Sequence, residues 1–287
     1  MTDKRPTFLS HTDKVWLAIW LAGVAALWIW DMLFLNRPAF VQLRTAAVNT
    51  ALVGCCVVVF SFVSGWLSAL ALHASEQSGK AAYLLITFVL NLIRSVPQII
   101  GVLIGYVVLT LLIREEVLRG QLAQLVWMSL VISLFLFLEV SDLVRERISH
   151  FRKLDFFDAM LCSGVRESRI INIEILLKNS RAHLLHKVIR IFGATVFLLC
   201  SVDFIISVGL STDVSLSNFP LTLGGFLAKM DSKQDILAIS TLFSDPFSVK
   251  DLFFEHLQGI STAFLIVFTL LCMHNIAAGY VQRRRLE

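Results

Sequence analysis

Residues 158–170 read DAMLCSGVRESRI, a stretch with two acidic and two basic residues that lies between two long apolar runs, 121–141 and 188–210. The stretch begins with an acidic residue and an alanine, has a glycine six places after the acid, and continues into a segment rich in arginine, serine and isoleucine. Each flanking run is about as long as a helix must be to cross a bilayer, roughly 20 residues. We therefore expect the stretch to lie outside the membrane, between two spanning helices.

The composition of the whole chain indicates the same class. Hydrophobic residues make up 57% of the 287 residues, charged residues only 16%, and the mean hydropathy is +0.77. A soluble domain carries about 25% charged residues, so the chain is predicted to be an all-α, polytopic membrane protein. The five cysteines form no CxxC pair and most lie in apolar runs. This pattern favours neither a disulfide framework nor a metal site, and no cofactor is expected.

Six apolar runs are predicted to span the membrane as helices, because lipid leaves every backbone group to be hydrogen-bonded within its own segment. They are 15–35, 46–72, 97–113, 121–141, 188–210 and 258–281. Arg94 and Pro97 interrupt the apolar region that precedes the third span, and proline disfavours helical geometry in the residue before it. Residues 81–94 are therefore predicted to lie at the cytoplasmic interface or to enter the membrane obliquely. Gly101 and Gly105 form a GxxxG pair that allows close helix contact.

The distribution of charge predicts the orientation. Six spans place both termini and the segment 143–190 on one side of the membrane, and all three are rich in lysine and arginine. The opposite loop, 211–257, is rich in aspartate and glutamate. Because basic residues favour cytoplasmic loops, both termini are predicted to be cytoplasmic. Arg37 and Arg44 are placed on the outside in this arrangement.

A longer segment, 144–177, carries a family resemblance. It reads VRERISHFRKLDFFDAMLCSGVRESRIINIEILL and resembles the cytoplasmic coupling loop of ABC importer permeases of the peptide/nickel class, similar to the oligopeptide and dipeptide C-type permeases. In that family an arginine-rich lead-in precedes an aromatic-acid-Ala motif, a Gly six residues after the acid, and Ile-Leu-Pro. Asp158 replaces the usual Glu, Met160 the usual second Ala, and Leu177 the usual Pro.

Further matches extend the resemblance over about 46–282. They are Asn49-Thr50, Arg94-Ser95-Val96-Pro97, Phe204 to Leu210, Leu221 to Ala228 and Asn275 to Gly279. Two expected features are missing, the large external segment after the first span and the Asp after the closing glycine. The Arg-Ser-Val-Pro motif also resembles the phosphonate and methionine branches of these permeases.

The resemblance implies a type I ABC importer permease (MetI-like) fold in a bacterial inner membrane. It divides the chain into 1–45, a tail and first helix, and 46–282, the permease domain with a coupling loop at about 143–187. Such a chain is not an enzyme. It forms half of a translocation path for peptides, nickel or a related small polar solute. The implied partners are a second permease in a heterodimer, ATP-binding cassette ATPase subunits, an extracytoplasmic substrate-binding protein and membrane lipid, but no nucleic acid.

The resemblance also assigns residues. Apolar side chains of a short helix would anchor the ATPase, with basic residues at the rim, and Gly164 would turn the chain at the end of this helix, before a second helix at about 166–178. The predicted coupling residues are Phe156, Phe157, Asp158, Ala159, Met160, Gly164, Arg166 and Arg169. A solvated basic loop that follows only the positive-inside rule is the alternative.

The predicted path residues are Arg94, Ser95, Pro97 and Asp203. Asp203 lies inside an apolar run, where a lone carboxylate costs several kcal/mol unless it is hydrated or paired. It is predicted to face a second permease, with a buried, hydrogen-bonded structural role as the alternative. For Arg94, contact with the interface or a lipid phosphate is favoured over contact with substrate.

Other function classes have less support. A secondary transporter needs inverted repeats and paired charges inside the membrane, and few of these are visible. An intramembrane enzyme lacks its motifs, since the chain contains no P-loop, HExxH or GxSxG. A membrane scaffold that keeps a permease-like shape remains open, because the chain departs from the family pattern.

The orientation can be tested by cysteine accessibility in a cysteine-free background. Asp155→Cys is expected to react only from the cytoplasmic side, because it lies in the basic segment, and Asp235→Cys only from outside. A membrane-impermeant maleimide applied to intact and to permeabilised cells measures both. Labelling of position 155 from outside would contradict the six-span arrangement.

Overall fold

The computed structural model describes residues 11–34, 37–207, 219–229, 244–245, 266–269 and 275. Nearly all of these residues are helical, and no strand occurs among them. The helices are α1 (His11–Phe34), α2 (Arg37–Ser78), α3 (Lys80–Ser95), α4 (Gln98–Arg114), α5 (Gln121–Phe151), α6 (Asp155–Cys162), α7 (Glu167–Arg169), α8 (Arg181–Ser207) and α9 (Leu223–Lys229). A π-helical segment, Ile170–Asn179, continues α7.

Four helices are long and apolar enough to cross a membrane: Val15–Leu33, Arg37–Glu76, Gln121–Phe151 and Arg181–Ser207. Helices α3 and α4 form a fifth candidate as a pair bent by 88°. The chain is thus an all-α protein with four or five candidate spans among the described residues. The sixth predicted span, 258–281, lies outside them except for 266–269 and 275.

The break predicted at Arg94 and Pro97 is confirmed. Helix α3 ends at Ser95, and α4 begins at Gln98 with a new axis. Pro97 precedes the first helical residue, where a missing N–H costs no hydrogen bond.

At three places the helices are longer than the predicted spans, because they continue beyond their apolar cores. Residues 37–45, which lie between the first two predicted spans and include Arg37 and Arg44, are the start of α2. The span expected at 121–141 continues to Phe151, and the span expected at 188 begins at Arg181. A hydropathy window detects only the part of a helix that suits hydrocarbon. Pro38 is in the first turn of α2, where proline is tolerated, and nothing in these extensions stops the helix.

The chain forms two compact units. One comprises Met1–Thr50 and Leu199–Glu287, and the other Ala51–Leu198. In the second unit α5 is the central helix, and its buried residues recur every three or four positions. They include Leu125, Met128, Ile132, Leu136, Val140, Val144 and Ile148.

Glycines bring neighbouring helices close to α5. A Cβ atom on Gly101 would lie 2.0 Å from the ring of Phe135, and one on Gly105 would lie 2.2 Å from Val131. The GxxxG pair is therefore a contact surface within the chain. Position 101 meets 135 and position 105 meets 131, so α4 runs antiparallel to α5.

On α2, Gly65 faces the α5 backbone, and an added Cβ would lie 2.6 Å from the carbonyl oxygen of Phe137. The core of the first unit joins Leu43 and Ala46 of α2 to Phe226 of α9.

Gly65→Ala is expected to destabilise the protein. The added methyl group meets a backbone carbonyl, which cannot rotate away as a side chain can, and overpacking costs about 1–3 kcal/mol. Thermal unfolding in detergent should show a lower Tm. Gly79→Ala is the matched control, because nothing lies within 4 Å of its added Cβ atom. Equal Tm values for the two variants would contradict close α2–α5 packing.

Candidate functional site

The predicted coupling residues lie on one hairpin, residues 152–170, which we call the α6–α7 hairpin. Helix α6 ends at Cys162, and Gly164 follows with φ +78°. The Gly164 N–H donates to the Leu161 carbonyl at 2.9 Å, and the Val165 N–H donates to the Met160 carbonyl at 3.2 Å. These paired bonds define a Schellman motif. Gly164 thus ends the helix as predicted, since left-handed geometry suits glycine.

The second predicted helix, 166–178, is observed as α7 and its π-helical continuation. In the π segment the buried residues occur in pairs five positions apart, Ile170 with Ile175 and Ile171 with Leu176. A π-helix forms i→i+5 hydrogen bonds, so residues five apart come closer together than in an α-helix. The wider winding therefore directs four large aliphatic side chains into the core. No sequence pattern had indicated it.

Glu167 fixes the base of the hairpin. Its Oε1 accepts a hydrogen bond from Arg152 Nη2 at 2.9 Å and lies 3.1 Å from His73 Nε2. Arg152 follows α5, His73 lies on α2, and Glu167 begins α7. One carboxylate thus connects the hairpin to the ends of two long helices. Sequence reasoning missed this role, because the three residues are far apart in the chain.

Two more polar contacts hold the return segment. Trp66 Nε1 on α2 donates to Asn172 Oδ1 at 2.8 Å. Arg147 Nε on α5 donates to Ser180 Oγ at 3.0 Å, and its guanidinium lies 5.1 Å from the centre of the Phe151 ring. The segment that follows the hairpin is therefore attached to α2 and α5, and α6 lies between these contacts and the end of α5.

The predicted apolar anchors divide into two groups. Phe157 is buried, with the Arg152 guanidinium 5.6 Å from its ring centre. It packs α6 against its own chain. Phe156 and Leu161 remain exposed, at 37% and 40%. Asp158, Ala159, Gly164, Arg166 and Arg169 are exposed as well, and Met160 is half-buried. The hairpin thus presents a small apolar surface surrounded by charged residues.

A cleft of about 520 Å³ lies beside the base of the hairpin. His73 and Arg152, which hold the base, also line it. Its other charged residues carry both signs and come from the same ends of α2 and α5: Glu76, Asp142, Arg145, Glu146 and Lys153.

The predicted path residues lie in different places. Arg94 donates from Nη2 to both carboxylate oxygens of Asp142, at 2.9 and 2.8 Å. Both side chains of this pair are about half exposed. Ser95 and Pro97, on either side of the bend, are exposed.

Asp203 belongs to the other unit and is only 2% exposed. It accepts a hydrogen bond from the Thr222 hydroxyl, which also accepts from the Gly225 N–H at 3.1 Å. This burial matches the structural alternative. The structure does not place Asp203 on an outer face of the chain.

Two sequence segments that carry the family resemblance, Asn49-Thr50 and Leu221 to Ala228, meet near Asp203. Asn49 Nδ2 donates to the Leu221 carbonyl at 2.7 Å, and the Leu223 N–H donates to Thr50 Oγ1 at 2.9 Å. A Cβ atom on Gly224 would lie 2.7 Å from Asp203 Oδ2. The short segment 221–225 is thus held by α2 on one side and α8 on the other.

No family model matches the chain, and no curated protein matches its sequence.

Two substitutions of Asp203 test whether its side chain stabilises the protein as a hydrogen-bond acceptor. Asp203→Ala is expected to lower the free energy of unfolding by about 1–3 kcal/mol, because the buried Thr222 hydroxyl loses its acceptor. Asp203→Asn keeps an acceptor oxygen of similar shape and is expected to cost less. Unfolding in detergent measures both. An equal decrease in the free energy of unfolding for both variants would show that the negative charge of Asp203, and not its acceptor oxygen, stabilises this region.

Proposed function

We propose that the chain is a permease subunit of an ABC importer that couples to a separate ATPase through the α6–α7 hairpin. The observation that carries the proposal is the hairpin itself: a short helix with exposed apolar residues, ended by a left-handed glycine and fixed at its base. Its order of residues resembles the coupling loop of the peptide/nickel class. The function proposed is mechanical and involves no catalysis by this chain.

The attachments of the hairpin suit such a function. A force applied to α6 has to reach the membrane helices without being absorbed by a flexible joint. Glu167 connects the base to α2 and α5, and Asn172 adds a second contact to α2. Phe157 packs the helix itself against the chain. Movement of α6 would therefore move the ends of long, apolar helices.

The exposed residues suit a protein partner. Interfaces concentrate their binding energy in a few apolar or aromatic anchors, with charged residues at the rim. Phe156 and Leu161 supply the anchors, while Arg166 and Arg169 supply rim charges that attract acidic surfaces.

The remaining assignments extend this proposal. The chain would have six spans, adopt the type I importer permease fold and lie in a bacterial inner membrane with both termini in the cytoplasm. It would pair with a second permease and receive peptides or a related small polar solute from an external binding protein. Arg94, Ser95 and Pro97 would lie at the cytoplasmic end of the path.

A second candidate is a permease-like membrane scaffold that does not transport. One observation favours it: Asp203, the carboxylate predicted to line the path, is buried and hydrogen-bonded instead. A phosphonate- or methionine-type permease is a variant of the first proposal, with a different substrate.

Photo-crosslinking in native membranes tests the coupling proposal. A benzoylphenylalanine at position 156 is expected to form an adduct with an ATPase that contains a phosphate-binding loop. The same group at Leu185, which is also 37% exposed but lies on α8, is the matched control. A hairpin that reacts freely with water-soluble reagents but gives no ATPase adduct would contradict coupling.

The double variant Phe156→Ala/Leu161→Ala measures how much the two exposed side chains contribute to ATPase binding. Removal of both side chains is expected to reduce the amount of ATPase that co-purifies with the chain at least about tenfold. One such residue typically contributes more than about 1 kcal/mol of binding free energy. The Tm should remain near that of the wild type, because both side chains are exposed. Leu185→Ala should leave recovery unchanged. Normal recovery in the double variant would exclude this surface as the joint.

A further inference from the structure

Helix α3 presents three different sides. With about 100° between successive residues, one side faces the protein and is half-buried; it comprises Tyr83, Ile86, Thr87, Leu90 and Ile93. A second side is exposed and mainly polar, with Lys80, Asn91, Arg94 and Ser95, although the exposed Leu84 lies between Asn91 and Ser95. The third side is exposed and apolar, with Ala81, Leu85, Phe88, Val89 and Leu92. We call these the polar strip and the apolar strip.

Such a helix suits a boundary between water and lipid. The exposed residues of a helix in water would be polar, and those of a spanning helix would be apolar on every side that faces lipid. In α3 the two strips lie side by side. Phe88 and Leu85 are 66% and 65% exposed, so the rest of the described chain leaves the apolar strip uncovered.

The packing of α4 sets the direction of α3. Helix α4 runs antiparallel along α5 through Gly101 and Gly105, and α5 is a candidate span. Spanning helices lie roughly along the membrane normal, with tilts of about 20°. Because α3 is bent by 88° from α4, its axis lies close to the membrane plane.

The Arg94–Asp142 pair sets its depth. Asp142 lies eleven residues beyond Val131, the midpoint of the apolar run 121–141, which is about 16 Å along a helix at ~1.5 Å per residue. The hydrocarbon core extends about 15 Å from the bilayer centre. The hydrogen bonds from Arg94 Nη2 to both Asp142 carboxylate oxygens therefore hold the end of α3 at the edge of the hydrocarbon.

From orientation, depth and the two strips we infer that α3 is a lipid-interface anchor. It lies along the membrane surface with its apolar strip in the acyl region and its polar strip toward headgroups and water. The occupant of the apolar strip is thus the phospholipid bilayer. This inference stands apart from the proposed coupling function, since it would hold equally for a scaffold.

Spin-label depth measurements test the inference. Single cysteines replace Ala81, Leu85, Phe88 and Leu92 in a cysteine-free chain, and each carries a nitroxide after reconstitution into phospholipid vesicles. Accessibility to oxygen and to a water-soluble nickel chelate gives the depth of each label. Positions 81 and 92 are about 16 Å apart along the axis. A helix that lies flat predicts depths that agree within about 5 Å, just inside the acyl region.

The matched control is a spanning helix with exposed positions of the same kind. Four exposed positions of α5 serve this purpose: Leu122, Val126, Leu130 and Leu134. Labels at these positions are expected to lie at steadily increasing depth from the surface inward. A label at Asn91, on the polar strip, should be highly accessible to the nickel chelate.

Two results would overturn the inference. A steady change in depth from position 81 to 92 would show that α3 enters the membrane as half of a broken span. Full water exposure of the apolar strip would show that α3 lies above the bilayer. Because four labels report separately, a single position that disturbs folding does not decide the outcome.

Discussion

Hydrocarbon offers no hydrogen-bond partner to a backbone N–H or C=O group, and this constraint shapes the long apolar helices in the described part of the chain. Each segment that enters lipid has to satisfy its own backbone groups, which only a helix does within one segment. The long helices follow directly from this. The one break in a continuous apolar region, at Val96 and Pro97, separates two helices with different directions instead of leaving an irregular segment.

The same constraint explains where the charged residues pair. Arg94 with Asp142 and Lys187 with Glu139 join α3 and α8 to α5 near the end of its apolar run 121–141. Glu167 connects Arg152 and His73 farther along the same end. Charges at these positions reach water or each other at low cost. The apolar core fixes how close the helices are, and the polar pairs fix how their ends are arranged.

This arrangement relates the two proposals to one another. The α6–α7 hairpin and α3 are both attached to the C-terminal part of α5, the hairpin at Arg152, which directly follows the helix, and α3 at Asp142. A coupling function would use α5 as the common support. An interfacial α3 would hold that support at a fixed depth in the bilayer. Each proposal rests on different contacts, so either can be correct without the other.

Much of the fold could be predicted because lipid imposes simple rules on sequence. Apolar length predicted the four long candidate spans in the described residues, and Pro97 predicted the break between α3 and α4. Gly164 predicted the end of α6, since a glycine after a short helix favours left-handed geometry. The helix boundaries were less predictable. The extensions of α2, α5 and α8 are polar or mixed in composition, and hydropathy alone does not distinguish a polar helix from a loop.

The sequence by itself determined the class of this protein, its helical content and the hairpin with an acidic residue and a glycine at fixed spacing. Only the tertiary structure decided which of these residues face outward. Phe156 and Phe157 are neighbours of identical chemistry, yet one is exposed and the other packs beneath Arg152. Asp203 could have lined a path or a core, and its contact with Thr222 places it in the core. Exposure depends on contacts between residues far apart in the chain, which no local pattern specifies.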